Sequence, residues 1–184
     1  GLRIIASLRS NNRRFLVLDE PDCWLEESNI PNFVKVIDEL AKVLGIQVFL
    51  VSHSKLEDLS SIEHQVTLYQ DENQNGKLGT LWDQDPIWEE GTSGIKSIHL
   101  KNFQAHEDTF IPLSPGVTLF KGKNDIGKSA VVSALRAIFY GNGDETNIRH
   151  DTSKTEVTIE FSDNKRLLIW ERKKTGSPKE IYTM

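Results

Sequence analysis

Residues 122–129 read Gly122-Lys123-Asn124-Asp125-Ile126-Gly127-Lys128-Ser129 and match G-x-x-x-x-G-K-[ST] at every fixed position. This pattern works in one setting, with a buried strand delivering the loop and a helix leaving it. Both neighbours are present: Val117 to Phe120 is a short apolar run, and Ala130 to Tyr140 has the pattern of an amphipathic helix. Gly122 and Gly127 let the backbone curl and turn its N–H groups inward, and the helix directs its positive end at the same point. Lys128 adds a full charge toward β- and γ-phosphates, and the Ser129 hydroxyl is a Mg²⁺ ligand. ATP is therefore the expected ligand and Mg²⁺ the expected cofactor. The expected ATP-binding residues are Gly122, Lys123, Asn124, Asp125, Ile126, Gly127, Lys128, Ser129 and Ala130, with Lys128 also counted as catalytic.

Such a loop needs a carboxylate at the end of a nearby strand. Leu16-Val17-Leu18-Asp19-Glu20-Pro21 supplies one after an apolar run. Asp19 is the metal-side acid, and Glu20 is the candidate general base for an attacking water, given hydrogen-bond reach to it. An acidic turn after a core strand is the bland alternative, and the loop at 122–129 in the same chain weighs against it. His53 follows the apolar run Val48 to Val51 within Val-Ser-His-Ser. It is either a γ-phosphate contact or a capped surface residue.

The remaining pattern predicts an α/β fold with a mainly parallel sheet. Phe15 to Leu18 and Ile46 to Val51 read as strands buried on both faces. Between them lies a helix with Pro31 in its first turn, an apolar face of Phe33, Ile37, Leu40 and Leu44, and Gly45 just past its end. Val66 to Tyr69 and Lys77 to Trp82 predict an antiparallel pair around the turn 73–76. Residues 95–120 begin three more strands, and Val157 to Phe161 with Leu167 to Trp170 predict a hairpin. Residues 2–10 read as a helix. Residues 83–94 break the pattern, and Gly91-Thr92-Ser93-Gly94 has the composition of a flexible linker. The expected units are 1–82 and 95–184, joined by a linker at 83–94 into one ATPase domain.

Charge follows the same division. Residues 1–91 hold 8 Lys+Arg against 16 Asp+Glu, whereas residues 92–184 hold 14 against 11. The acidic half argues against a generally basic nucleic-acid wrapper. Arg172-Lys173-Lys174 is a candidate DNA contact or an ordinary solvated face, and Arg149-His150 is a weaker candidate for reaching the nucleotide. The four tryptophans, Trp24, Trp82, Trp88 and Trp170, are scattered and suit packing better than base stacking. The single Cys23 excludes an internal disulfide framework, and with no membrane-length apolar run the expectation is a reducing, cytoplasmic setting. The chain starts at Gly1-Leu2-Arg3 without methionine and stops in strand-like sequence at Met184, so we expect a piece of a longer protein or an artificial joining.

Taken together, these residues resemble the ATP-binding-cassette heads of SMC and SbcC-type DNA-repair ATPases. The second half resembles their N-terminal lobe, from Ile95 through Asn102-Phe103, His106, the phosphate loop and Phe139-Tyr140-Gly141 to the hairpin. The first half resembles their C-terminal lobe, with Asp19-Glu20-Pro21 as Walker B and His53 as the switch histidine. The resemblance implies a P-loop NTPase of the cassette type, with a mainly parallel core sheet and an antiparallel β subdomain. It implies catalytic roles for Glu20, His53 and Lys128, with Mg²⁺ held by Ser129 and Asp19. It further implies ATP-driven engagement with a second head, action on DNA, and an SbcD-type nuclease partner. Asn124-Asp125 is also similar to the RecF and OLD-like branch, which keeps that alternative open.

The chain departs from the family in several ways. Walker B precedes Walker A and no coiled coil separates them. Leu25-Glu26 stands where the family has Leu-Asp. The signature Ser-Gly-Gly would lie directly before Gly1, and the usual Q-loop glutamine beyond Met184. Without the signature serine this chain is expected to bind nucleotide but to dimerise and hydrolyse poorly, and a nucleotide-binding module without turnover stands as an alternative to the ATPase head.

Overall fold

The apolar runs at Phe15, Val48 and Val117 pair with one another as parallel strands, although nearly seventy residues separate the last two. The computed structural model describes residues 4–6, 15–52, 61–71, 77–163, 167–175 and 179–183. In chain order the elements are β1 (Ile4–Ala6), β2 (Phe15–Asp19), α1 (Ile30–Leu44), β3 (Gln47–Val51), β4 (His64–Asp71), β5 (Lys77–Trp82), β6 (Ile95–Phe103), β7 (His106–Pro112), β8 (Val117–Lys121), α2 (Lys128–Tyr140), β9 (Lys154–Phe161), β10 (Leu167–Lys173) and β11 (Lys179–Thr183).

They form two sheets. The first has the order β1-β2-β3-β8-β4-β5 and the second β11-β10-β9-β6-β7. In the first, β2, β3, β8 and β4 are mutually parallel, with β1 and β5 added antiparallel at the edges. The second is antiparallel throughout. This is the α/β class expected from the sequence, a mainly parallel core with an antiparallel β subdomain.

Side-chain alternation on the parallel strands divides the core between two faces. Leu18, Val48, Leu50, Val117 and Leu119 join Ile30, Val34, Ile37 and Ala41 of α1 on one face. Val17, Phe49, Val51 and Phe120 join α2 on the other. The far side of α2 meets the antiparallel sheet through Ile98, Leu100, Val157, Ile159 and Trp170. A helix packed between two sheets must be apolar nearly all round. Accordingly Ala130, Val131, Val132, Ala134, Leu135, Ala137 and Ile138 are all buried.

Three local expectations are corrected. Ile4–Ala6, read as helix, is a strand paired antiparallel with Leu16–Leu18, since the apolar residues extend the edge of the sheet. In α1 the buried stripe is Ile30, Val34, Ile37 and Ala41; Leu40 and Leu44 are 39% and 60% exposed. The smaller residues allow the helix to lie close to the sheet, and the larger ones are rotated outward. The third correction concerns residues 83–94, which have no regular structure but are pinned in place. Trp88 Nε1 donates to the Leu113 carbonyl at 3.1 Å, and the Ser162 hydroxyl donates to the Thr92 carbonyl at 2.7 Å. Gly94 accepts from Ser162 N at 3.0 Å. The predicted turn 73–76 lies outside the described residues, although the strands it joins pair as expected.

Gln47 is the main polar clip between the two parts of the chain. Its buried amide donates to the carbonyls of Ile95 at 2.9 Å and Ser114 at 2.8 Å, and accepts from Ile95 N at 2.7 Å. Gln47→Leu would leave these main-chain groups buried without the amide, at roughly 1–3 kcal/mol for each one left unsatisfied. We predict a loss of about 2–4 kcal/mol in urea denaturation, with the slope of the transition unchanged.

Candidate nucleotide site

Because β2, β3 and β8 run parallel, their carboxyl ends reach the same edge of the sheet. Asp19 pairs with Val51, and Val51 with Phe120. The chain leaves each strand there by a different route: into Glu20 after β2, into Ser52 after β3, and into the phosphate loop after β8. Glu20 N donates to the Val51 carbonyl at 2.9 Å, and Ser52 N to the Phe120 carbonyl at 3.3 Å. The helices after β2 and β8 lie on opposite faces. The carboxyl ends of parallel strands are where open α/β sheets bind ligands.

A cleft of about 260 Å³ opens there, lined by Glu20, Gln104, Ala105, Asp125, Gly127, Lys128, Ser129 and Ala130. Glu20 and Lys128, from two distant stretches of sequence, thus face the same space. Gln104 and Ala105 form the turn between β6 and β7, and neither was singled out from the sequence. The only signal for them was their position inside the Asn102–His106 stretch.

The loop takes the shape that its glycines permit. Gly122 has φ +148, and a Cβ there would lie 2.5 Å from the Leu68 carbonyl oxygen. Gly127 has φ +89, and a Cβ there would come within 2.9 Å of His106 Nε2. Glu20 and Asp125 also adopt left-handed backbone, with φ +51 and +60. Non-glycine residues in that region store of order 1–3 kcal/mol of strain each and gather at functional sites.

Lys128 opens α2 and is only 3% exposed. Its amino group donates to the carbonyls of Gly122 at 2.7 Å and Lys123 at 2.8 Å, so it spans the loop from inside. Burial pushes its pKa below the ordinary lysine value, against the charges of Glu20 and Asp125, which pull it up. The Ser129 side chain is exposed at the first turn of α2, where the leading N–H groups have no partners within the helix. Lysine, hydroxyl and helix N-terminus together make an anion cradle. Asp19 ends β2 next to Glu20 and is not itself among the residues that line the cleft; its carboxylate and the Ser129 hydroxyl are oxygen donors of the hard type that Mg²⁺ prefers. The residues present therefore fit Mg²⁺ and a polyphosphate.

Of the other candidates, Lys123, Asn124 and Asp125 lie on the exposed part of the loop, while Ile126 and Ala130 are buried beneath it. His53 lies outside the described residues. Arg149 is close to the cleft, its guanidinium donating to the Ala105 carbonyl at 2.6 Å, whereas the His150 side chain is 95% exposed. Arg172 is largely covered and lies 4.0 Å from Glu145, and Lys173 and Lys174 are exposed. Trp170 is fully buried in the core, as its packing reading required. No helix among the described residues is long and apolar enough to cross a membrane.

Residues 94–182 match the family model described as an AAA ATPase domain. The chain is 31% identical over 87 residues to the DNA double-strand break repair Rad50 ATPase of Archaeoglobus fulgidus, covering 45% of this chain and 10% of that protein. It is 34% identical over 74 residues to the DNA replication and repair protein RecF of Clostridium botulinum, covering 40% of this chain and 19% of that protein. A solved structure of the recombination mediator protein RecF matches over 54% of this chain and 27% of its own, at 21% identity and a TM-score of 0.44. The chain thus spans a fifth or less of the length of these curated relatives. Residues 94–182 are thus similar to the AAA ATPase domain family, and parts of the chain are related in sequence to the Rad50 ATPase and to RecF.

Proposed function

We propose that the cleft binds Mg·ATP and hydrolyses it, and that the chain serves as an ATPase head of an SMC/SbcC-like DNA repair or recombination protein. One observation carries this reading: Glu20 and Lys128 line a single cleft at the carboxyl edge of the parallel strands. In the proposed site the loop amides and Lys128 hold the phosphates, and Asp19 and Ser129 hold Mg²⁺, which when bound offsets phosphate charge. Glu20 accepts the proton of the attacking water, and His53 senses the γ-phosphate. The segments 1–82 and 95–184 act as two lobes of one ATPase domain. Engagement with a second head, contact with DNA and an SbcD-type nuclease partner follow from the family resemblance and belong to the same proposal. The RecF similarity supports a second reading, an OLD/RecF-like ATPase acting with a separate nuclease or loading factor.

In steady-state assays with Mg·ATP, Lys128→Ala should abolish binding and turnover together. Glu20→Gln should lower turnover by at least 10²-fold, within the range of general-base losses, while leaving ATP affinity within a few-fold. Retained turnover in both variants would contradict the proposed roles.

Lys128 also gives a pH test. Its folded-state pKa is lowered, so the unfolded chain binds the proton more tightly. Stability should therefore rise with pH between the lowered pKa and about 10.5, and the penalty is fully present below that window. Lys128→Met removes the titrating group. The stability of the parent chain relative to this variant should increase as pH rises through the window, read by urea denaturation at matched pH values. A difference that is constant with pH would contradict burial as the dominant influence on this lysine.

A further inference from the structure

Two hydrogen bonds run in series behind the phosphate loop. His106, at the start of β7, is fully buried. Its Nε2 lies 3.0 Å from the Gly127 carbonyl oxygen and its Nδ1 lies 3.0 Å from Thr109 Oγ1. A carbonyl only accepts, so Nε2 carries the hydrogen. Burial holds the ring neutral, with the charge of Arg149 acting in the same direction. Nδ1 is then an acceptor, and the Thr109 hydroxyl, itself 2% exposed, must be its donor. The Gly127 carbonyl thereby fixes the tautomer, and Thr109 donates to the remaining nitrogen and holds the ring in place.

The Gly127 carbonyl belongs to the same planar peptide unit as the Lys128 N–H. Fixing the oxygen therefore fixes the direction of that N–H, and a hydrogen bond accepted at the oxygen polarises the unit and strengthens the N–H as a donor. The Lys128 N–H is one of those that open α2 without a partner inside the helix, and both Gly127 and Lys128 line the cleft. The need for a brace is local. Gly127 sits at φ +89, a backbone region open to glycine, and its oxygen also accepts from Ala130 N at 3.1 Å.

We infer that His106, oriented by Thr109, is a positioning residue for the nucleotide: it holds the Gly127–Lys128 peptide with its N–H toward the phosphates. The antiparallel sheet thereby acts on the phosphate loop through one side chain. The inference rests on the ATP reading above and adds to it a residue outside the loop. The competing reading is a core histidine that fills space and does nothing for the ligand.

The test compares the full chain with His106→Leu, His106→Gln and Thr109→Val, each well below its own melting temperature. Mg·ATP and Mg·ADP are titrated by calorimetry, and the ¹⁵N shift of the Lys128 amide is read in unliganded protein. His106→Leu should weaken both nucleotides together by about 3–10-fold, the equivalent of one lost hydrogen bond. His106→Gln, whose amide can donate to Gly127, should recover most of that affinity, and Thr109→Val should fall between. The Lys128 ¹⁵N shift should move in the Leu and Val variants and return toward the parent value in the Gln variant. Parent-like affinity in folded His106→Leu, or an unmoved Lys128 shift, would overturn the inference and leave the ATP reading intact. Absence of Mg·ATP binding by the parent chain would overturn both.

Discussion

The parallel pairing of β8 between β3 and β4 is the constraint on which the rest of the molecule depends. Strands lie about 4.8 Å apart in the hydrogen-bonding direction, so inserting β8 there sets the end of β2 roughly 10 Å from the start of the phosphate loop. The insertion is driven by burial on both faces. Leu119 and Phe120 are inaccessible to solvent, one among the residues that meet α1 and the other among those that meet α2. An alternative in which the two parts of the chain fold apart would expose both sides of β8 and strip Gln47 of its three main-chain partners.

The same edge of the sheet concentrates features that do not help the fold. Lys128 is buried against its preference for water, and Glu20 and Asp125 occupy left-handed backbone. Such features persist where surrounding structure over-determines them. Here the surroundings are a buried parallel sheet beneath, helix α2 behind, and the hairpin β6–β7 at the side, tied in by His106 and Arg149. The strained, charged elements thus sit on one rigid frame, the arrangement expected when a chain holds polar groups ready for an anionic ligand.

Much of this was legible in the sequence because the signals were local. The fixed positions of the loop required a strand before it and a helix after it, and β8 and α2 are those elements. Gly45 ends α1 with φ +59, as a glycine just past a helix does. What escaped depended on distance in the chain. Which stripe of α1 faces inward was misjudged because Ile37 suits either stripe and only the sheet decides between Ala41 and Leu44. Gln47 looked like an ordinary strand residue, since its partners lie 48 and 67 positions away. Residues 91–94 have the composition of a free linker, yet Ser162 holds them. His106 was visible only as part of a family-like motif, and its contact with Gly127 needed the fold.

The central claim is that Asp19 and Glu20 share one ligand site with Lys128 and Ser129. A crystal structure grown with Mg²⁺ and a non-hydrolysable ATP analogue tests it most directly. The account predicts triphosphate density in the cleft between Glu20 and Lys128, with the metal reached from the side of both Asp19 and Ser129. Nucleotide bound on another surface, or metal density remote from Asp19, would contradict it.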